Sequence, residues 1–315
     1  MELWPAEYEG LRAEARYVAQ QVIDQALADL GRPPTELGAR VQYQREMLSR
    51  REIEAMGGKD EDIAGVGCRV FRPNQPTRGV YLHLHGGGLI AGTPRMSDPA
   101  NSHLCQHLGV VVVSADYRLA PENPYPAAPD DAFAVACWLI DNAKAELGSA
   151  RLLIGGESAG AYLSVLTLLR VRDLLGTTER FAAANLLYAG YDLSGTPSQR
   201  GARPTDAPDI LDPQALKFIG DCFLPRTPDV ERQDARISPL YADLTGLPPA
   251  LFTVGSADHL LDDSILLAAR WAAAGSRAEL AVYPDCPHGF VRAPTQLARL
   301  ASERINTFLS EALAA

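Results

Sequence analysis

Hydrophobic residues in this chain alternate between short continuous runs and stripes at helical spacing. The short runs predict buried strands at Val66–Arg72, Val80–Leu84, Val110–Ser114, Leu152–Ile154, Asn185–Ala189, Ala250–Gly255 and Glu279–Tyr283. The stripes predict helices at Pro99–Leu108, Pro129–Leu147, Ala159–Leu175, Asp262–Ala274 and Thr295–Leu313. Because repeats of strand, helix and strand give parallel strands with helices on both faces, the pattern predicts an α/β fold with a mostly parallel sheet.

Two further segments stand outside this repeat. Apolar positions from Tyr8 to Leu30, followed by Gly31, predict an amphipathic N-terminal helix. Residues 192–245 are rich in proline and glycine, contain one short predicted helix at Pro213–Leu224, and are too long for an ordinary connection. We expect both segments to form a cap over the strand ends; the alternative for the second is a surface excursion with no role in a site.

Composition and charge narrow the classes of protein. The 315 residues are 47% hydrophobic and 22% charged, which is typical of a globular chain with a large core. The net charge of −10 and the lack of a basic run argue against nucleic-acid binding. No apolar run approaches the roughly 18 to 20 residues of a membrane span. The acidic start lacks the pattern of a secretory signal, and the five scattered cysteines suggest reduced thiols, so we expect a cytoplasmic protein.

The pattern G-x-S-x-G at Gly156–Gly160 carries the main chemical signal. It follows a predicted strand and opens a predicted helix, which is the setting of a nucleophilic serine on a tight turn. Ser158 is therefore the candidate nucleophile. Glycines on either side suit a turn that brings neighbouring backbone close.

A serine hydroxyl needs a base to take its proton, and the base needs a third group to orient it. Asp258 and His288 each follow a predicted strand, and the chain order Ser158, Asp258, His288 is that of an α/β-hydrolase. Asp262 is the alternative acid, although it falls where a helix begins and a carboxylate favours a helix N-terminus.

Backbone N–H groups are needed to stabilise the oxyanion that forms during acyl transfer. The glycines after His85 expose their amides, so we assign this oxyanion hole to the N–H groups of Gly87, Gly88 and Ala159. The alternative, a phosphate-cradling loop, lacks the lysine and the glycine spacing that such loops have.

Other histidines and cysteines have simpler interpretations. His103 and His107 share a helix face, but no acidic or cysteine partner motif accompanies them, so we expect no metal site. His83 fits a core position in a strand, and His259 a loop position beside the acid. Cys286 lies near the candidate base, but no turn motif surrounds it as a nucleophile would require.

The ordered motifs together resemble the hormone-sensitive-lipase-like esterases, also called bacterial family IV, of the α/β-hydrolase superfamily. The motifs are His85–Gly88, Tyr117–Glu122 with Pro124 and Pro126 behind it, Gly156–Gly160, Asp258–Asp262 and His288–Phe290. The resemblance runs from about Gly79 to the C-terminus. It implies an eight-stranded sheet with helices on both faces, a helical cap, and hydrolysis of small carboxylic esters with short or medium acyl chains. It implies no cofactor, and it leaves a homodimer open.

With this resemblance, residues 1–55 are interpreted as an N-terminal cap segment and residues 56–315 as the catalytic domain, with a cap insertion at about 192–245. The chain departs from the family where Leu89 replaces a common aromatic residue and where His259 replaces a common proline. Glu157 and Ala161 also differ from the usual elbow residues. These differences concern the shape of the pocket, because every catalytic group is present.

Two alternative functions remain. Hydrolysis of amides or lactams would use the same residues. A non-catalytic small-molecule receptor of the same fold typically lacks the catalytic histidine, whereas His288 is present here.

Overall fold

The computed structural model of the protein describes residues 3–50, 57–176, 178–209 and 211–315. The strands are β1 (Lys59–Ile63), β2 (Val66–Phe71), β3 (Gly79–Leu84), β4 (Val110–Ala115), β5 (Leu152–Glu157), β6 (Phe181–Leu187), β7 (Ala250–Gly255) and β8 (Ala278–Tyr283). The helices are α1 (Arg12–Leu30), α2 (Leu37–Ser49), α3 (Asp98–Leu108), α4 (Ala127–Glu146), α5 (Ala159–Leu175), α6 (Pro213–Phe223), α7 (Asp229–Arg232), α8 (Leu261–Ala273) and α9 (Gln296–Ala314).

The strands form one eight-stranded sheet in the order β1-β2-β4-β3-β5-β6-β7-β8. β2 pairs antiparallel with β1 and β4, and the remaining neighbours are parallel. Central strands such as β4 are buried at every position, as expected for parallel strands covered on both faces. The predicted α/β-hydrolase fold class is confirmed.

Helices cover both faces of the sheet. α4, α5 and α8 pack on one face, where Trp271 meets Phe252 edge to face at 5.6 Å. α3 and α9 pack on the other face, together with Ala15 of α1. This arrangement brings the carboxyl ends of β3, β5, β7 and β8 to one edge of the sheet, where ligands bind in folds of this class.

Several elements differ from the sequence predictions. β1 and α2 were not predicted. β6 begins at Phe181, before the predicted start at Asn185, because the three alanines that follow Phe181 carry little strand signal. The predicted N-terminal helix begins as a 3₁₀ helix at Ala6–Leu11 and continues as α1.

We call α1, α2 and α6, which lie in the two segments predicted to form a cap, the cap elements. The apolar stripe of α1 is only partly buried: Ala15 and Ala19 are covered, whereas Val22 is 42% exposed. Arg40 of α2 stacks on Phe218 of α6 at 4.4 Å, which joins the N-terminal part of the cap to the insertion. The proposed division between residues 55 and 56 lies outside the described residues.

In the described ranges, no helix combines the length and apolar character that crossing a bilayer requires.

Candidate active site

Ser158 lies on the turn that joins β5 to α5. Its backbone has φ 53° and ψ −118°, a conformation that non-glycine residues rarely adopt. The carbonyl oxygen of Leu84 approaches this turn so closely that a Cβ at Gly156 or Gly160 would lie 1.9 or 1.7 Å from it. The two glycines of the motif are therefore required by close packing against β3, and this packing holds the serine in place.

The three side chains predicted to act together lie in one line of hydrogen bonds. His288 Nε2 is 3.0 Å from Ser158 Oγ, and His288 Nδ1 is 2.9 Å from Asp258 Oδ2. Asp258 is fully buried, and its Oδ1 accepts the N–H of Leu260 at 2.8 Å. With the Nδ1 proton donated to Asp258, Nε2 is left to accept the serine proton.

The alternative acid, Asp262, has a different partner. Its Oδ2 accepts the N–H of Ser198 at 2.9 Å, at the start of α8. The geometry therefore brings Asp258, and not Asp262, to the imidazole.

Burial raises the pKa of the Asp258 carboxyl. The hydrogen bond from His288 opposes that effect, and the nearby carboxylate of Asp209 adds to it. Such a carboxylate is a strong acceptor, which favours a firmly oriented imidazole.

The glycine loop after β3 lies beside the serine. Gly87 and Gly88 have φ of 126° and 64°, and a Cβ on Gly87 would lie 1.9 Å from the carbonyl oxygen of Ala91. Across the described ranges, no backbone carbonyl accepts the N–H of Gly87 or Gly88. Ala159 is the first residue of α5, where helix N–H groups lack intrahelical partners. The three residues predicted to form the oxyanion hole thus line the same cavity as Ser158.

His85 supports this loop from behind. Its Nδ1 donates to the carbonyl of Gly86 at 2.7 Å, and its ring stacks on Tyr117 at 4.2 Å. The Tyr117 hydroxyl donates to the carbonyl of His85 at 2.6 Å. The Tyr117 motif thus contributes by fixing the glycine loop.

A cavity of about 400 Å³ opens above Ser158 and His288. Its walls are mostly apolar and come from the glycine loop and from all three cap elements. They include Val22 and Ile23 of α1, Met47 of α2, Leu216 and Ile219 of α6, and Leu89. Such a cavity accepts a small apolar group next to the serine hydroxyl.

Sequence reasoning missed two features of the site. Asp209 of the insertion accepts the backbone N–H of His288 at 2.9 Å, and no motif marks it. The other feature is the carboxylate of Glu157, which accepts a hydrogen bond from His83 Nε2 at 3.1 Å. Burial alone would raise the pKa of Glu157. The nearby His83 and Arg292 outweigh this effect, and the net result is a pKa lowered to about 2.

The alternative sites suggested by the sequence find little support. Cys286 is buried, and burial raises the pKa of its thiol, which keeps it in the unreactive protonated form. The rings of His103 and His107 stack on each other at 5.5 Å on an exposed helix face. Within the part of the chain that the structure describes, no group of three or more side chains could hold a metal ion.

Comparisons with known proteins find relatives that share this fold. A family model described as alpha/beta hydrolase fold matches residues 81–292. The carboxylesterase NlhH of Mycobacterium tuberculosis is 34% identical over 255 residues, which cover 78% of this chain and 77% of that protein. The ethyl acetate hydrolase of Pseudomonas putida is 30% identical over 231 residues, 71% of each chain.

A solved structure, described as a hormone-sensitive lipase from a metagenome library, has a TM-score of 0.81 and 31% identity. The match covers 95% of this chain and 98% of the chain in that structure. The match therefore includes the cap as well as the sheet. This chain belongs to the α/β-hydrolase fold family, among its hormone-sensitive-lipase-like esterases.

Proposed function

We propose that this protein is a serine carboxylesterase that hydrolyses small carboxylic esters through an acyl-enzyme intermediate. The observation that carries the proposal is the hydrogen-bonded line from Ser158 through His288 to Asp258 at the floor of an apolar cavity. The names of the relatives, carboxylesterase and ethyl acetate hydrolase, agree with this chemistry.

The reaction follows from the geometry in two halves. His288 Nε2 takes the Ser158 proton while Oγ attacks the ester carbonyl carbon, and the resulting oxyanion is stabilised by the N–H groups of Gly87, Gly88 and Ala159. The bond to the alcohol oxygen then breaks, and the imidazolium of His288 gives the alcohol its proton. Water attacks the acyl-enzyme in the same way, which releases the acid and restores the serine.

The substrate class that we propose is esters with short to medium acyl chains. The support is the mostly apolar cavity of about 400 Å³, which the cap elements line next to Ser158. The relative from Pseudomonas putida is named for its action on an ester of acetic acid. We expect the highest kcat/KM below roughly ten acyl carbons, which is the preference that the family resemblance implies for a pocket of this kind.

Replacement of Ser158 tests the proposal. Ser158→Ala removes the nucleophile, and we expect kcat on p-nitrophenyl esters of graded chain length to fall by about 10⁶. The control is Ser149→Ala, at a half-buried serine whose hydroxyl donates to the carbonyl of Arg78 and accepts the N–H of Arg151, and which does not line the cavity. A Ser158→Ala enzyme that retains more than a hundredth of the activity contradicts the proposal.

Matched substrates separate ester hydrolysis from amide hydrolysis. An ester and an anilide of the same acid, assayed side by side, give a much larger kcat/KM for the ester if the proposal is correct. A fluorophosphonate probe separates the enzyme from a receptor, since only a serine activated by His288 is labelled.

We also propose a reducing compartment, the cytoplasm, because all five cysteines are free. A homodimer is the oligomeric state that the family resemblance suggests, and light scattering on the purified protein measures it.

A further inference from the structure

Asp209 joins the two loops that carry the acid and the base. Its carboxylate has no exposed side-chain surface. Oδ1 accepts the backbone N–H of His288 at 2.9 Å. Oδ2 accepts two hydrogen bonds from His259, one from the backbone N–H at 3.2 Å and one from Nδ1 at 2.9 Å. A side chain of the insertion therefore holds the loop of Asp258 and the loop of His288 together.

The bonding pattern requires a carboxylate. All three partners of Asp209 are N–H donors, and an ionised carboxylate only accepts hydrogen bonds. An asparagine could accept the His288 N–H, but its NH₂ group would then face the donors of His259. A buried donor left without an acceptor costs about 1 to 3 kcal/mol, so the amide would displace one of the loops.

Both the backbone N–H and the backbone carbonyl of His259 form hydrogen bonds with the insertion. Its carbonyl accepts the hydroxyl of Ser198 at 2.9 Å, and Ser198 belongs to the same insertion as Asp209. The two catalytic loops also meet where the N–H of Ala257 donates to the carbonyl of Cys286 at 3.1 Å, close to the strand ends. Asp209 adds a second link between the two loops, through the backbone N–H groups of His259 and of His288 itself.

We propose that Asp209 is a positioning residue that acts with His259 to hold His288 between Ser158 and Asp258. The inference rests on the proposed esterase function and extends it to the insertion. Because Asp209 also lines the substrate cavity, the segment that shapes the cavity is the same segment that sets the geometry of the base.

Kinetics of Asp209→Asn test the proposal. Since displacement of a catalytic group by about 1 Å can cost about 10²-fold, we expect kcat to fall by roughly tenfold to a hundredfold while KM changes by less than about threefold. The matched control is Asp206→Asn, at an exposed aspartate of the same insertion whose partner is Arg16. The control is expected to keep its kcat within about twofold, since exposed ion pairs contribute little.

Variants of His259 distinguish positioning from general support of the fold. His259→Asn keeps an N–H donor near the Nδ1 position and should retain most of kcat. His259→Leu removes the side-chain donor and should lower kcat, though less than Asp209→Asn, which also opposes the backbone N–H of His259. Since Asp209→Asn already breaks the contact that His259→Leu removes, the double variant should show little loss beyond that of Asp209→Asn.

Two results overturn the proposal. One is a folded Asp209→Asn enzyme with kcat within twofold of the parent. The other is an equal loss in His259→Asn and His259→Leu, which also decides the question if Asp209→Asn does not fold. Failure of the esterase function itself would appear separately, as activity that survives Ser158→Ala.

Discussion

At the scale of single residues, the elbow depends on the absence of a side chain at Gly160. The Leu84 carbonyl oxygen occupies the place where a Cβ would be, at 1.7 Å. This oxygen belongs to the rigid central strand β3, so the clash cannot be relieved by a side-chain rotation. Either the strand or the turn must move.

We therefore expect Gly160→Ala to lower the free energy of unfolding by more than about 3 kcal/mol, or to prevent folding, as overpacking against backbone does. Urea denaturation followed by circular dichroism measures the change. Gly38→Ala is the control, because a Cβ there meets only the Glu36 carboxylate at 3.6 Å and alanine favours a helix. Equal stability of the two variants would contradict this account of the elbow.

The sequence predicted the residues of the site that local motifs reveal. Ser158, Asp258 and His288 each follow a strand, so parallel strands that end at one edge bring them together. Their catalytic roles remain predictions that Ser158→Ala tests. Asp209 could not be predicted, because its three hydrogen bonds join chain segments that are far apart in sequence and its neighbours form no motif.

At the scale of elements, α1 is fastened to the loop before His288. Asp285, whose side chain is 1% exposed, accepts the guanidinium groups of Arg12 and Arg16 at 2.8 and 2.7 Å, and the hydroxyl of Thr205 at 2.8 Å. Burial alone would raise the pKa of this carboxyl. The hydrogen bonds from Arg12 and Arg16 outweigh this effect, and the net result is a pKa lowered to about 2. The carboxylate of Asp285 thus links the histidine loop, which leads to His288, with the N-terminal segment and with the insertion.

Removal of one of the two arginines that bind Asp285 should weaken the attachment of α1 to the histidine loop. We expect Arg16→Met to raise KM by about threefold or more, because Val22 and Ile23 of α1 line the cavity, while kcat changes less. Steady-state kinetics on p-nitrophenyl butyrate measure both constants. Arg277→Met, which removes an exposed pair with Glu279 at the start of β8, is the control and should leave KM unchanged. A fall in kcat at constant KM would contradict this role of α1.

The elements that the sequence pattern missed carry few buried residues. β1 is a charged edge strand in which only Ile63 is buried. α2 buries Val41 and Leu48, and its start is set by the Glu36 side chain, which accepts the N–H groups of Gly38 and Ala39. By contrast, β4 and α5 were predicted within a residue of their ends, because β4 is buried at every position and α5 at twelve of its 17 positions. The hydrophobic pattern of a sequence marks elements with many buried residues, and β1 and α2 have few.

At the scale of the whole molecule, the buried His85 makes stability depend on pH. Burial lowers the pKa of His85 from 6.5 to about 4, although its bond to the Gly86 carbonyl opposes this. Between these pH values the unfolded chain binds a proton at His85 that the folded protein does not bind. The stabilisation is therefore complete above about pH 6.5 and is lost as the pH falls towards 4.

We expect His85 to contribute a loss of about 3 kcal/mol in the free energy of unfolding over this range, since each pKa unit corresponds to about 1.4 kcal/mol. Urea denaturation at several values of pH from 7 to 4 measures it. His85→Gln should flatten the pH dependence, whereas His107→Gln, at an exposed histidine, should leave it as in the parent. Parallel curves for the parent and His85→Gln would show that His85 does not cause the loss.

The ion cluster at Asp285 has a consequence for shortened forms of the protein. A version that starts after Leu30 would keep every residue of the proposed reaction, yet it would remove both positive charges that compensate a buried negative one. That carboxylate lies in the turn that leads to His288, so the damage would reach the reacting groups from the opposite end of the polypeptide. Deletion of the first helix would therefore impair turnover as well as substrate choice.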